Sequence, residues 1–240
     1  MQKHYVIGDV HGEYEMLMAL IEKLPLNAHL LFVGDLVNRG KQGREVMAFV
    51  RNHAHGVVKG NHEGYMQVQA EQFFSMLENC VKNELDRLYQ FVGGSPTLQP
   101  YNLLQRRHNE PYCFDINEEG VEQLREDLAW IESLPLTIEL GVMPNYHLPV
   151  VISHGNIGDH WYLKELNPED FAFYALGNRK MPSKESPVFN IYGHIAVDKV
   201  IKEENFVCVD TGCGKHHQAK LSAYCIETKE VVDVSREETL

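Results

Sequence analysis

Six short segments of this sequence combine glycine with an acid, an amide or an imidazole at the close of an apolar run. They are Gly8-Asp9-Val10-His11-Gly12, Gly34-Asp35-Leu36-Val37-Asn38-Arg39-Gly40, Gly60-Asn61-His62-Glu63, Ser153-His154-Gly155, Gly193-His194 and Asp210-Thr211-Gly212. Their side chains suit divalent cations. Asp9 and His11 stand two residues apart, so in an extended segment both face the same way and one ion can take both. Asp35 has two carboxylate oxygens and can bridge to a second ion, completed by the Asn61 carbonyl and the imidazoles of His154 and His194. The set is oxygen and nitrogen without thiolate, which favours manganese, iron, zinc or cobalt over softer ions.

Two ions about 3.5–4 Å apart are typical of phosphate-ester hydrolysis, where they activate a water for in-line attack and neutralise the transferring oxygens. That reaction needs two further groups. A cation must hold the outer phosphate oxygens, and the Arg39 guanidinium matches their geometry. A proton donor must assist the departing oxygen, and His62, beside Asn61, is the candidate.

The elements that would carry these groups follow from the apolar pattern. Residues 5–9, 30–35 and 56–61 are short apolar runs, and residues 13–24 and 43–52 between them have helical spacing. That is β-α-β-α-β, the pattern of a parallel sheet with helices on its faces. In such sheets ligands collect beyond the carboxyl ends of the strands, and flanking glycines allow close approach of the backbone. Residues 62–133 show long polar-apolar periodicity with little strand signal, so this stretch is expected to be mostly helical, broken near Gly93-Gly94-Ser95-Pro96. Strands are expected again at 136–142, 149–153, 188–192, 206–210 and 221–226, with a helix over 168–176 beginning at Pro168.

Bulk properties narrow the setting. A chain of 240 residues with 44% hydrophobic and 23% charged residues is expected to form one domain over 1–240. No apolar run approaches the roughly 20 residues that span a bilayer, and the N-terminus reads as a first strand rather than a signal peptide. The net charge of −12 disfavours nucleic acid and anionic membranes as partners, so an anionic substrate needs local cations. Cys80, Cys113, Cys208, Cys213 and Cys225 form neither a disulfide framework nor a CxxC pair, and a reduced, cytoplasmic setting is expected.

Taken in order, these motifs resemble the phosphoprotein phosphatase branch of the calcineurin-like metallophosphoesterases, most of all the small bacterial and phage phosphatases of lambda type. The resemblance runs from about residue 5 to residue 221 and includes Leu134-Pro135-Leu136 before a strand. It implies a four-layer α/β/β/α sandwich, here with a helical insertion, and a bimetal site usually active with Mn2+. It also implies Asp9, His11, Asp35, Asn61, His154 and His194 as ligands, His62 as general acid and Arg39 as phosphate clamp. The family's second phosphate arginine follows a Trp-Asn pair; the match is Gly177-Asn178-Arg179, which nominates Arg179.

One position departs from the pattern. Such phosphatases read Gly-Asp-x-Val-Asp-Arg-Gly, and the second Asp supports the acid histidine; this chain has Asn38. A carboxylate raises an imidazole pKa and orients the ring, whereas an amide orients it without charge. His62 is then a weaker acid, which matters for expelling a serine alkoxide and much less for expelling a phosphate. The expected substrate is phosphoserine or phosphothreonine in protein, or a phosphorylated small molecule. A diadenosine-tetraphosphate-type hydrolase is the alternative.

Any one of these segments alone reads as an ordinary polar turn. Six in order do not. Asp210 reads as an acceptor orienting a neighbour. His216-His217 reads as a solvated loop, Cys208, Cys213 and Cys225 as packing, and residues 233–240 as a frayed acidic tail.

Overall fold

The computed structural model describes residues 2–78, 85–107 and 110–239. The chain order begins β1 (His4–Ile7), α1 (Tyr14–Lys23), β2 (His29–Phe32), α2 (Gly43–His53) and β3 (Gly56–Val57). It continues with α3 (Asn61–Glu78), α4 (Leu85–Gly93), β4 (Leu104–Arg107), β5 (Glu110–Ile116) and α5 (Glu118–Ser133). The second half contains β6 (Thr137–Val142), β7 (Pro149–Ser153), α6 (Leu163–Leu166), α7 (Pro168–Gly177) and β8 (Phe189–Tyr192). It ends with β9 (Ile201–Lys202), β10 (Phe206–Cys208), β11 (Lys220–Cys225) and β12 (Val231–Ser235).

Two five-stranded sheets result, ordered β12-β11-β1-β2-β3 and β6-β7-β8-β10-β9. β1, β2 and β3 run parallel, as do β7, β8 and β10. Alternation along the strands decides the layering. Tyr5, Ile7, Leu30 and Phe32 face the core shared with Leu17, Leu20, Val46 and Met47 of α1 and α2. Val6, Leu31 and Val33 face the opposite way, into a core shared with Val150, Ile152, Ile191 and Val207 of the second sheet. Val151 turns outward to Phe171 and Ala175 of α7. Helices, sheet, sheet, helix: the four layers expected from the resemblance are present. Each fully buried Ile or Val contributes on the order of 1.5–3 kcal/mol relative to exposure.

The insertion departs from expectation. α3, α4 and α5 are helical, but β4 and β5 form an antiparallel hairpin between them. Its strands carry Arg107 and Asp115, paired at 2.7 Å across the hairpin, and a bulge at Arg106/Arg107 breaks the register. Charge on the solvent side and the bulge hide the two-residue alternation of a strand. Residues 79–84 and 108–109 of this stretch, including Cys80, and the side chain of Cys113 lie outside the described residues. α5 is tied to α2 through Asp127, which accepts from Arg51 and from Tyr101, both at 2.6 Å.

The acidic tail is also not frayed as far as Thr239. β12 completes the first sheet, and the turn after it docks on α1 through Lys23–Glu238 (2.6 Å) and Arg236–Glu13. Leu240 lies outside the described residues.

Candidate metal centre

All six glycine-flanked segments lie at the carboxyl ends of parallel strands, three from each sheet, and their side chains converge between the sheets. Asp9, His11, Asp35, His154 and His194 are buried. Asp35 is the hub. Its Oδ2 lies 3.7 Å from His11 Nε2 and 3.8 Å from His62 Nε2, and its Oδ1 lies 3.4 Å from His154 Nε2. His11, Asp35 and His62 form one cluster able to hold an ion, and Asp35, His154 and His194 form another. Asp9 stands 3.8 Å from His11 Nε2 and accepts the His194 backbone N–H at 3.2 Å.

Second contacts fix which ring nitrogen faces inward. His11 Nδ1 lies 3.1 Å from the Val37 carbonyl and His154 Nδ1 lies 2.9 Å from the Val33 carbonyl. A carbonyl can only accept, so each Nδ1 carries the proton and each Nε2 offers a lone pair to the interior. His154 Nε2 therefore faces two further acceptors, Asn61 Oδ1 at 2.9 Å and Asp35 Oδ1 at 3.4 Å, and the His194 ring at Nδ1, 3.0 Å away. His11 Nε2 is buried and has no hydrogen-bond partner. Acceptors turned on one another in a dry site repel unless a cation lies among them. The donor set fits divalent ions.

Electrostatics agree. Burial, then the Arg39 charge, lowers His11 to about 2. Burial, then His154, lowers His194 to about 3, and burial also lowers His154. All three imidazoles are neutral, the form that binds metal. Burial raises Asp35 to about 7, and burial with the Asp210 and Asp35 charges raises Asp9 well above the usual carboxylate range. Cations between these carboxylates would reverse that rise.

The backbone here is unusual. His11, Asp35, Asn38, Arg39 and His194 have φ of 50°, 52°, 70°, 71° and 64°. Non-glycine residues in that region are uncommon and concentrate at functional sites. Gly34, at φ 87°, passes so close to the third loop that a Cβ there would meet Gly60 Cα at 2.8 Å. Glu63 holds the two loops together. Fully buried, it accepts Asp35 N at 2.9 Å, Leu36 N at 2.8 Å and Gly60 N at 2.8 Å. In the sequence Glu63 is the last residue of Gly60-Asn61-His62-Glu63, and only the fold brings the three N–H groups to it.

Asn38 is bound to His62. Its Oδ1 accepts the Arg39 N–H at 2.9 Å, which turns Nδ2 toward His62 Nδ1, also at 2.9 Å. The amide donates, so the neutral ring carries its proton on Nε2, facing Asp35. Burial, then the Arg39 charge, lowers His62 to about 4. Arg39 is half-buried, with Nη1 buried and unpartnered, whereas Arg179 is exposed in the loop after α7. The Arg179 charge still acts on His62, His154 and His194 behind the larger effect of burial. Asp210 is buried, accepts Gly212 N at 2.8 Å through Oδ1, and leaves Oδ2 3.7 Å from Lys215 Nζ. His216 and His217 are exposed, and Cys208, Cys213 and Cys225 are buried free thiols.

The sequence profile of the calcineurin-like phosphoesterases matches residues 3–231. The chain belongs to that family. Its phosphatase relatives make this calcineurin-like phosphoesterase a metal-dependent hydrolase of phosphorylated substrates. The phosphoesterase is 24% identical to serine/threonine-protein phosphatase 2 of Escherichia coli, over 93% of this chain and 92% of that one. It is 34% identical to the symmetrical bis(5'-nucleosyl)-tetraphosphatase of Buchnera aphidicola, over 38% of this chain and 37% of the relative. A crystal structure provisionally assigned as a diadenosine tetraphosphatase shares the fold with TM-score 0.60 and 15% identity, over 98% of this chain and 93% of that one. Among the described residues, no helix is long and apolar enough to cross a membrane.

Proposed function

We propose that this phosphoesterase removes phosphate from phosphoserine and phosphothreonine in proteins, using two Mn2+ ions, as a single cytoplasmic domain over residues 1–240. The observation that carries the hydrolytic reading is Asp35, whose two oxygens face one histidine cluster each. Asp9, His11 and Asp35 would hold one ion, and Asp35, Asn61, His154 and His194 the other. Bound there, the ions supply Lewis acidity and activate water for attack on phosphorus.

The chain's own groups do the rest. The Val33 and Val37 carbonyls keep His154 and His11 in the ligating tautomer. Arg39, and more peripherally Arg179, offer donors to the outer phosphate oxygens. His62 presents Nε2–H to the departing oxygen, with Asn38 fixing the ring and Asp35 accepting the His62 backbone N–H at 2.9 Å. The protein-phosphatase reading is supported by the end-to-end match to the E. coli serine/threonine phosphatase, against a match to the tetraphosphatase confined to about a third of the chain.

Asn38 favours a second reading, hydrolysis of a phosphoanhydride such as a dinucleoside tetraphosphate. A neutral imidazole receiving a hydrogen bond at Nδ1 is a good Nε2–H donor but a poor source of a proton. Phosphate leaves without one; a serine alkoxide does not.

Turnover of a phosphoserine peptide and of diadenosine tetraphosphate, side by side with Mn2+, separates the two. A higher kcat/KM on the peptide supports the first reading, and a higher value on the tetraphosphate replaces it with the second.

A further inference from the structure

We propose that Lys215, on the loop joining β10 to β11, is a third substrate-phosphate-binding cation, standing beside Arg39 on the rim of the metal centre. The inference rests on reading that centre as a phosphohydrolase site. The loop is brought there by its glycines. Gly212 and Gly214 have φ of 81° and 75°, and Lys215 N bonds the Gly212 carbonyl at 2.9 Å. A Cβ on Gly214 would lie 3.1 Å from His11 Cβ and 3.5 Å from Arg39 Cβ, so the residue before Lys215 is packed between a metal-ligand candidate and the phosphate-clamp candidate. Only glycine combines that fit with that backbone.

The side chain then folds back toward the centre. Lys215 Cδ lies near Gly212, and Nζ reaches within 3.7 Å of Asp210 Oδ2, a buried oxygen with no hydrogen-bond partner. That separation is too long for a hydrogen bond. The ammonium thus stands close to that charge without a hydrogen bond to it, and the side chain keeps 31% exposure. Burial dominates the pKa shifts of Asp9, Asp35 and His62, and the Lys215 charge acts on all three.

In a chain of net charge −12, an anionic substrate is drawn in only by local cations. Arg39 can grip phosphate with a planar fork, whereas an ammonium on a flexible stem acts as a point charge. Lys215 therefore contributes to holding the phosphate equally in ground and transition states, an effect that enters KM rather than kcat.

The test is steady-state hydrolysis of p-nitrophenyl phosphate by the full Mn2+-loaded chain, with inorganic phosphate as competitor. Lys215→Ala is expected to raise both KM and the phosphate inhibition constant about tenfold, roughly 1.4 kcal/mol. The expected kcat stays within about twofold of wild type, and Lys215→Arg restores both constants. Half-saturating Mn2+ is expected to stay level or fall, because a positive charge beside the carboxylates has been removed. A structural partner of Asp210 would behave otherwise: Mn2+ affinity and Tm would drop with phosphate affinity, and that pattern overturns the proposal. An unchanged phosphate inhibition constant overturns it as well. If the wild-type chain shows no metal-dependent turnover, the hydrolytic reading fails on its own. Calorimetric phosphate binding to Mn2+-loaded wild type and Lys215→Ala then decides the role of Lys215.

Discussion

The two sheets supply the candidate metal centre in different ways. The first sends three loops carrying every polar site group from Asp9 to Glu63, and four of the strained backbones, His11, Asp35, Asn38 and Arg39, lie on them. Those loops are bound to one another through Glu63 and through the Asp35 carbonyl, which accepts both Val10 N at 3.1 Å and His11 N at 2.9 Å. The second sheet contributes imidazoles to a frame already built. His154 is oriented by the Val33 carbonyl of the first sheet, and the His194 backbone leans on Asp9. On the proposed reading, proton transfer and the Arg39 grip come from the first sheet, closure of the second ion site and the Arg179 donor come from the second, and Lys215 lies on the loop that joins the two. Asp35 stands at the junction.

The largest effect expected from breaking that junction is that of Asp35→Ala. Both clusters lose their shared oxygen, and turnover should fall by at least about a thousandfold while far-ultraviolet circular dichroism stays unchanged. Metal analysis should find the pair lost together; survival of one tightly bound ion at wild-type rate would contradict a shared ligand.

Within the first sheet, Asn38→Asp tests proton transfer alone. A carboxylate at this position would accept from His62 Nδ1–H and favour the imidazolium. Hydrolysis of alkyl phosphates should quicken by roughly tenfold more than that of aryl phosphates, whose leaving group barely needs an acid. Equal effects on both would mean that the Asn38–His62 contact does not act on leaving-group protonation.

The metal centre's pH response is set by the junction too. Asp35, raised by burial to about 7, and Asp9, raised by burial well above the usual carboxylate range, hold protons which an incoming cation must displace. His11 and His194, lowered to about 2 and about 3, have none to lose. Mn2+ affinity measured by calorimetry should therefore rise with pH, by about tenfold per unit for each proton released, until both carboxylates are ionised. A flat profile between pH 5 and 7 would show that Asp9 and Asp35 are already ionised there.

Glu63→Gln is the mildest break. Shape is kept, but an amide NH2 replaces one of two oxygens that accept three backbone N–H groups. A stability loss of about 1–3 kcal/mol follows, read as a lowered Tm. No change in Tm would remove the clamp from the account.

Much of this was visible in the residues themselves. Glycine beside Asp, Asn or His at the end of an apolar run marks a strand-end loop, so the convergence of Asp9, Asp35, Asn61, His154 and His194 could be expected. The β4–β5 hairpin could not, because residues 105–110 are an unbroken polar run and a bulge shifts the register. β12 is hidden by the charged run Arg236-Glu237-Glu238 that follows it, although its own Val-Val-Asp-Val-Ser suits a strand and pairs with β11. Glu63 and Lys215 escaped for a different reason. Their roles depend on what a fold brings near them, three backbone N–H groups in one case and Asp210, His11 and Arg39 in the other.

Electron paramagnetic resonance of the full chain titrated with Mn2+ tests the Asp35 bridge most directly. The arrangement predicts two ions per chain whose spins are exchange-coupled through a shared ligand. Spectra of isolated ions at saturation, or a single ion at full activity, would contradict it.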